Sequence, residues 1–550
     1  MGLLDPARPP YAPLEWAAKP FGEKSQMVCR AWAMQGYGTP ASAYVLYAIK
    51  VALYVGGWLL FCSFSPGLGG PASIARWWLE PVAFQKAILW SLGFEVLGLG
   101  CGSGPLTGRY FPPIGGCLYF LRPGTTKLPL FEGAPLIGGR VRTWREVGLY
   151  AALIGCVGWA LVQPAPGKAA LIAIAVLVAV LGVLDRTVFL AARGEHYWLT
   201  VVCFAFATPW IAGAKAVQLA LWFWAGVSKL NHHFPAVVCV MTSNSPFTRF
   251  AWLRRRMYRA FPDDLRPSTL ATAMAHMGTA LELGVPLLLL AGSGGTVTTI
   301  GLVLMLLLHG YITSNVPMGV PIEWNVMVVY GAFFLFGAHA DVGLRELSPA
   351  MGGFLAVALI ALPLVGNLAP HLVSFLVSMR YYAGNWAYGI WLFRGTSYRK
   401  LDHHLIKTSP WIHDQLDRFY DRETAIGLVG KVIGFRLMHL HGRALQRLVP
   451  RAVDRFEEYE WVDGELVAGL VLGWNFGDGH LHAEQLLRSV QAQCGFEPGE
   501  LRCIFVEAQP LGRGTLGYRI HDAATGLLDA GALDVRALRD LQPWPADPPP

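Results

Sequence analysis

The residues of this sequence that could do chemistry are ionisable side chains set in or beside long apolar runs: Lys50, Glu95, Asp185, His196, Lys215, Lys229, His276, Glu282, His309 and Glu323. An ionised group at bilayer depth is costly, so each one needs a partner or a function. Lys229 closes the run ALWFWAGVSKLNHHFP. A lysine lodged in an apolar cavity can act as a base, because burial disfavours the ammonium form. The competing reading is an anchor whose amine snorkels to the headgroups. Glu282 lies in the middle of MAHMGTALELGVPLLLL, six residues after His276. At about 100° per residue the two sit about 120° apart around a helix and need not share a face. A carboxylate there calls for a cation, and Lys229 and Lys215 are the candidates; a helix-to-helix ion pair and a site role both fit.

Two histidines frame this pair. His309 ends GLVLMLLLHG and leads into YITSNVPMGVPIEWN, where Asn315, Pro317, Gly319 and Pro321 predict an irregular connection. Non-helical backbone at membrane depth is tolerated only where protein or a cavity buries it, so this stretch lines a pocket or forms a short surface loop. His196, in RGEHYWLT, is either a structural residue of an aromatic belt or a ligand. His276, Asn315 and Trp224 are the candidates for holding a cofactor beside a catalytic set of Lys229, His196, His309 and Glu282.

Other motifs lead elsewhere. The glycines Gly98, Gly100, Gly102 and Gly104 follow no strand and lack GK[ST], so they read as a turn or close helix packing and not as a phosphate loop. The pairs His439/His441 and His480/His482 have no carboxylate or cysteine at metal-binding spacing. No CxxC occurs; Cys101 and Cys117 can pair only if their loop faces an oxidising compartment, and are otherwise free thiols.

The elements that must position these groups follow from composition. Hydrophobic residues make up 54% of the chain and charged ones 15%, against about a quarter charged in a soluble protein. The net charge of +8 fits basic flanks on anionic headgroups and requires no nucleic acid. Apolar runs at 43–63, 83–100, 147–163, 169–190, 198–228, 269–291, 296–314, 322–338 and 352–378 predict an all-α polytopic membrane bundle of about nine spans over residues 42–380. The 198–228 run, with Pro209 and Lys215, is a tilted helix or a broken pair. The basic stretches 102–146 and 229–268 and the basic C-terminal portion are expected on the cytoplasmic side if 198–228 crosses twice or re-enters. Residues 1–41 read as an interfacial segment with no cleavable signal peptide, 381–457 as a basic amphipathic helical linker, 458–540 as a small soluble α/β or α+β domain, and 541–550 as a disordered tail. In the small domain GELVAGLVLGW, LRCIFVEAQ and GYRIHDA read as strands, with a helix near 481–493.

AGVSKLNHHFP resembles the horizontally transferred transmembrane superfamily, which includes the vitamin K-dependent gamma-glutamyl carboxylase. In that superfamily an AG-x-x-KL pattern carries the lysine that deprotonates vitamin K hydroquinone, and Lys229 matches it. EHYWLTVVCFAFA is similar to the family's Asn-His-Ser-Tyr-Leu helix start and puts His196 at its functional histidine; HGYITSNVPMGVPIEWNVMVV places His309 in a further conserved segment. Ser228 stands where the carboxylase has a charged residue, and residues 399–550 have no counterpart, so the resemblance implies quinol or lipid chemistry more than peptide carboxylation. The whole chain, including LGLGCGSGPLTGRYFPPIGG, also resembles a bacterial transmembrane family of unknown function.

Together these readings point to an integral protein of a bacterial cytoplasmic (inner) membrane. It would act as an enzyme on a quinol or another lipid-soluble substrate, with a quinone or hydroquinone as the implied cofactor and membrane lipids as partners. The alternative is a non-catalytic lipid or small-molecule transporter, or a membrane scaffold docking a protein through its soluble end.

Overall fold

The computed structural model describes residues 3–100, 115–316 and 322–545. Five of its helices are long and apolar enough to cross a membrane: Ala41–Cys62, Trp144–Val162, Thr269–Ala291, Gly295–Thr313 and Pro349–Leu368. Their outward faces carry large apolar side chains, among them Leu53 (62% exposed), Trp159 (64%), Leu307 (64%) and Ile360 (59%). A surface of this kind belongs in lipid, where it meets no water.

The other four expected spans are helical but shorter or more polar. Pro81–Val96 is buried along nearly its whole length, and Lys168–Leu184 and Ile322–Ala338 are short apolar helices. Hydropathy does not distinguish a helix buried in protein from one buried in lipid. The 198–228 run breaks into Leu199–Phe206 and Trp210–Val227. Pro209 has no N–H for a continuing helix and marks the break. The eight residues of the first piece reach only about 12 Å, too short for a crossing of its own. Gly98, with φ +78°, turns the chain at the end of Pro81–Val96, as a turn reading requires.

The C-terminal portion departs from the expected layout. After a small hairpin of β1 (Tyr258–Ala260) and β2 (Asp264–Pro267), a five-stranded antiparallel sheet forms from β3 (Tyr388–Arg394), β4 (Tyr459–Asp463), β5 (Leu501–Val506), β6 (Thr515–Asp522) and β7 (Gly526–Asp534), in the order β4-β3-β5-β6-β7. Strand β3 lies inside the stretch expected as a helical linker. Its run YGIWLF is buried on both faces, so it shows no strand alternation. GELVAGLVLGW, expected as a strand, is the helix Gly464–Leu472, capped by Asp463, whose side chain accepts from the Glu465 N–H at 3.0 Å. Uninterrupted apolar runs of that length suit either state. The expected helix near 481–493 and the two later strands are present.

The supposed surface helices are interior. Arg422–Met438 packs against Phe21–Gln35, with Val28, Cys29 and Trp32 fully buried and Gly430 and Gly434 facing Trp16 and Val28. The N-terminal segment therefore packs as part of the fold. The chain end is ordered at least to 545: Gln542 accepts from the Leu265 N–H at 3.0 Å and Trp544 is buried. Cys101, Gly102, Gly104, Pro317, Gly319, Pro321 and residues 546–550, where a thiol, a glycine turn, an irregular connection and a disordered tail are expected, lie outside the described residues.

Candidate functional site

Lys229 sits in the turn just after Trp210–Val227, its N–H bonded to the Gly226 carbonyl at 3.1 Å. The neighbouring helix Thr269–Ala291 packs along Trp210–Val227 and presents Glu282, whose carboxylate pairs with the Lys229 amine. Both side chains are about nine-tenths buried, and the amine lies over the Phe234 ring, 5.1 Å from its centre. Pair and ring stand in the wall of a cavity of about 1560 Å³ that also meets His309, Asn315, Trp324 and Asn325. The wall includes Leu46 and Leu307, which are 53% and 64% exposed. The cavity therefore reaches the apolar face that lipid covers.

Hydrogen bonding fixes the state of His309. The Trp222 indole N–H donates to its Nε2 at 2.9 Å; an indole can only donate, so Nε2 carries a lone pair. Nδ1 lies 2.7 Å from Asn325 Oδ1 and must donate to it. With both nitrogens engaged, His309 holds the wall in place and has no free base. Asn315 donates its amide to the Tyr311 carbonyl at 2.6 Å, and its buried Oδ1 finds no donor among the described residues.

His196 lies one residue behind the wall: its Nδ1 accepts from the Trp324 indole at 3.1 Å. Trp324 stacks near Tyr381, with ring centres 5.1 Å apart. Tyr381 donates to Glu195 Oε1 at 2.8 Å, and Arg193 Nε reaches the same oxygen at 2.8 Å. Arg193 also lies over the Phe476 ring at 4.4 Å. Its φ of +50° is left-handed and uncommon for a residue with a Cβ. A π-helical turn, Gly194–Trp198, follows at once; such turns concentrate where side chains must be re-aimed.

The far end of the cavity belongs to the C-terminal portion. Arg436 donates from Nε and Nη2 to Asp463 Oδ2 at 3.0 and 2.8 Å and lies over the Tyr388 ring at 4.5 Å. Glu465, Asn475 and Phe476 complete that wall. Burial first, and then the neighbouring Asp463, push the Glu465 carboxyl up to about 7 against the opposing pull of Arg436.

A family model described as "Transmembrane protein of unknown function (DUF3556)" matches residues 1–550. The chain belongs to this family. No curated protein and no solved structure matches it. Membership agrees with the expected whole-chain resemblance and, with the five apolar helices, makes the chain an integral membrane protein. It brings no activity with it.

Of the site residues expected from the sequence, the DUF3556 fold gathers Lys229, Glu282, His309 and Asn315 on one cavity, with His196 behind Trp324. It does not bring Trp224 or His276 there. The Trp224 indole donates to the Leu359 carbonyl at 2.7 Å, tying two helices together. His276 is exposed on the outer face of the Glu282 helix, as their angular offset implies. Lys215, the other candidate partner of Glu282, instead donates to the His339 and Val342 carbonyls at 2.6 and 2.5 Å. Sequence reasoning missed Arg193, Glu195, Tyr381, Arg436, Asp463 and Glu465. The charges of RGEHYW were a usable signal for the first two; the others come together only through tertiary folding.

Glu465 sets a pH dependence. Its folded pKa lies above the ordinary 4.5, so its contribution to stability is complete below that value and is lost as pH rises through about 7. Between about pH 5 and pH 8, the wild type should lose more melting temperature than Glu465→Gln. Parallel thermal melts in detergent check this; identical slopes would contradict it.

Proposed function

We propose that the protein binds a lipid-soluble molecule in the cavity and acts on its polar head through the Lys229–Glu282 pair. The observation that carries this reading is that the buried pair lines a cavity of about 1560 Å³. That volume exceeds the roughly 300–1,000 Å³ of ordinary small-molecule pockets and suits a long amphiphile. Entry is lateral, past Leu46 and Leu307 from the bilayer. Other ionisable groups of the bundle pair off as a scaffold would have them: Lys50 with Glu323 at 3.1 Å and Arg142 with Asp185 at 2.6 Å. Unlike these, the Lys229–Glu282 pair lines the cavity and is the reacting couple, because an amine and a carboxylate in contact can exchange a proton with a hydroxyl placed between them.

A quinol is the head group that fits best. It offers two hydroxyls to an amine and a carboxylate, and a flat ring to Trp324 and Tyr381. The AGVSKL motif, which resembles the superfamily's lysine pattern, supports Lys229 as the base once its proton has passed to Glu282. His309 and His196 position the wall: His309 is held by Trp222 and Asn325, and His196 steers Trp324. This chemistry would take place in a bacterial cytoplasmic membrane.

A short-chain benzoquinone quenches indole fluorescence, and Trp222, Trp324 and Trp386 line the cavity. Saturable quenching of the purified protein is expected, and Leu281→Trp, which adds bulk to the wall beside Glu282, should weaken it at least about tenfold. Non-saturable quenching, equal in the variant, would refute the reading.

A further inference from the structure

Outside the cavity lining, between the bundle and the C-terminal portion, lies a second polar cluster that the proposed chemistry does not use. Arg380 is 1% exposed, and none of its three guanidinium nitrogens has a hydrogen-bond acceptor among the described residues. The residue before it, Met379, has φ +52°, a left-handed conformation that costs a side-chain-bearing residue energy and persists only where the surroundings impose it. The carboxylates whose field acts on Arg380 are Glu507 and Asp478, and both are engaged elsewhere. Glu507 accepts from the His480 ring at 3.1 Å and from the Ala508 N–H at 2.9 Å. Asp478 accepts from the Ser374 hydroxyl at 2.6 Å and the His480 N–H at 3.1 Å.

Besides His480, which Glu507 holds, two histidines feel the Arg380 charge from other elements, His233 and His441. Their rings are 5.2 Å apart and they are 0% and 2% exposed. Both ring nitrogens of His441 and Nδ1 of His233 lack partners among the described residues. The guanidinium and the His441 ring offer unused nitrogens, whereas His233 donates from Nε2 to the Ser228 carbonyl at 3.2 Å and keeps a lone pair on Nδ1; a buried cation without a hydrogen-bonded counter-charge is strongly unfavourable. Guanidinium and imidazole N–H groups together are the usual reading surface for a small anion.

We propose that Arg380 and His441, with the His233 ring packed against His441, form a buried binding site for a small anion, a halide or a compact oxyanion. His233 follows Lys229 by four residues and His441 belongs to the C-terminal portion. The bound anion therefore clamps the Lys229 turn to that portion, independently of what fills the cavity.

The test is the melting temperature of the full-length protein in detergent, in gluconate buffer, titrated separately with chloride, formate and inorganic phosphate. At least one of these should raise it saturably, and the anion that does so identifies the class: chloride for a halide site, formate or phosphate for an oxyanion site. Arg380→Met should abolish the response. His441→Gln keeps the guanidinium and should shift the midpoint about tenfold higher, the loss of one charged hydrogen bond. It serves if Arg380→Met does not fold. No saturable response to any of the three, or an unchanged midpoint in His441→Gln, would overturn the proposal in favour of ordinary internal hydration.

Discussion

Lys229→Met should lower the stability of the protein in detergent by about 3–5 kcal/mol, because it leaves the Glu282 carboxylate buried without its cation. Glu282 is 5% exposed, and no other ammonium is placed to replace Lys229: Lys215 is held by backbone carbonyls of the 339–342 turn. The double variant Lys229→Met/Glu282→Leu removes both charges and should recover most of the loss, since a buried pair exchanged for apolar residues of similar size is often neutral. Guanidinium or thermal unfolding of the four members of the cycle measures this. Ligand binding separates function from stability: the double variant should be well folded and yet fail to hold a quinone. A stable double variant with undiminished binding would assign the pair to helix packing alone.

Asp463→Ala should be comparably severe. Asp463 compensates the Arg436 guanidinium, which is 2% exposed, and its other oxygen caps Gly464–Leu472. Losing the counter-charge costs about 3–5 kcal/mol and losing the cap about 1 kcal/mol. Asp463→Asn retains the capping oxygen and should be milder than alanine by that last amount. A melting curve for either variant that overlays the wild type would mean Arg436 is not held by this residue. Because Arg436 and Asp463 both line the cavity, these variants should also lower quinone affinity at temperatures where they remain folded.

Much of the membrane part was legible in the sequence, and much of the remainder was not, for identifiable reasons. Ala41–Cys62 and Gly295–Thr313 are apolar all round over a bilayer's width, so length and hydropathy suffice. Pro81–Val96 is also mostly apolar because it packs inside protein, and hydropathy alone does not tell the two solvents apart. The Lys229–Glu282 contact was legible as a need, since a buried carboxylate must find a cation; its choice of Lys229 over Lys215 depends on how the helices pack. Strand β3 was missed because a central strand covered on both faces has no alternation, and Gly464–Leu472 was misread for the same lack of period. Arg436 looked like a surface charge on a basic helix. Only the approach of β4, bringing Asp463, makes its burial possible.

The cavity wall illustrates how far local reading extends. His309 was visible as an ionisable residue ending an apolar run, but its part as a doubly engaged wall residue required Trp222 and Asn325. His196 was found by motif, whereas its action through Trp324 and the Arg193–Glu195–Tyr381 network around it depend on a segment from beyond the last span.

Native mass spectrometry of the protein released from detergent tests most directly whether the Lys229–Glu282 cavity holds a lipid-soluble ligand. The wild type should carry one bound molecule of quinone or lipid mass at near-stoichiometric occupancy, and Leu281→Trp should fly without it. A wild-type protein that is bare under conditions preserving its fold, or an adduct equally abundant in Leu281→Trp, would contradict the assignment.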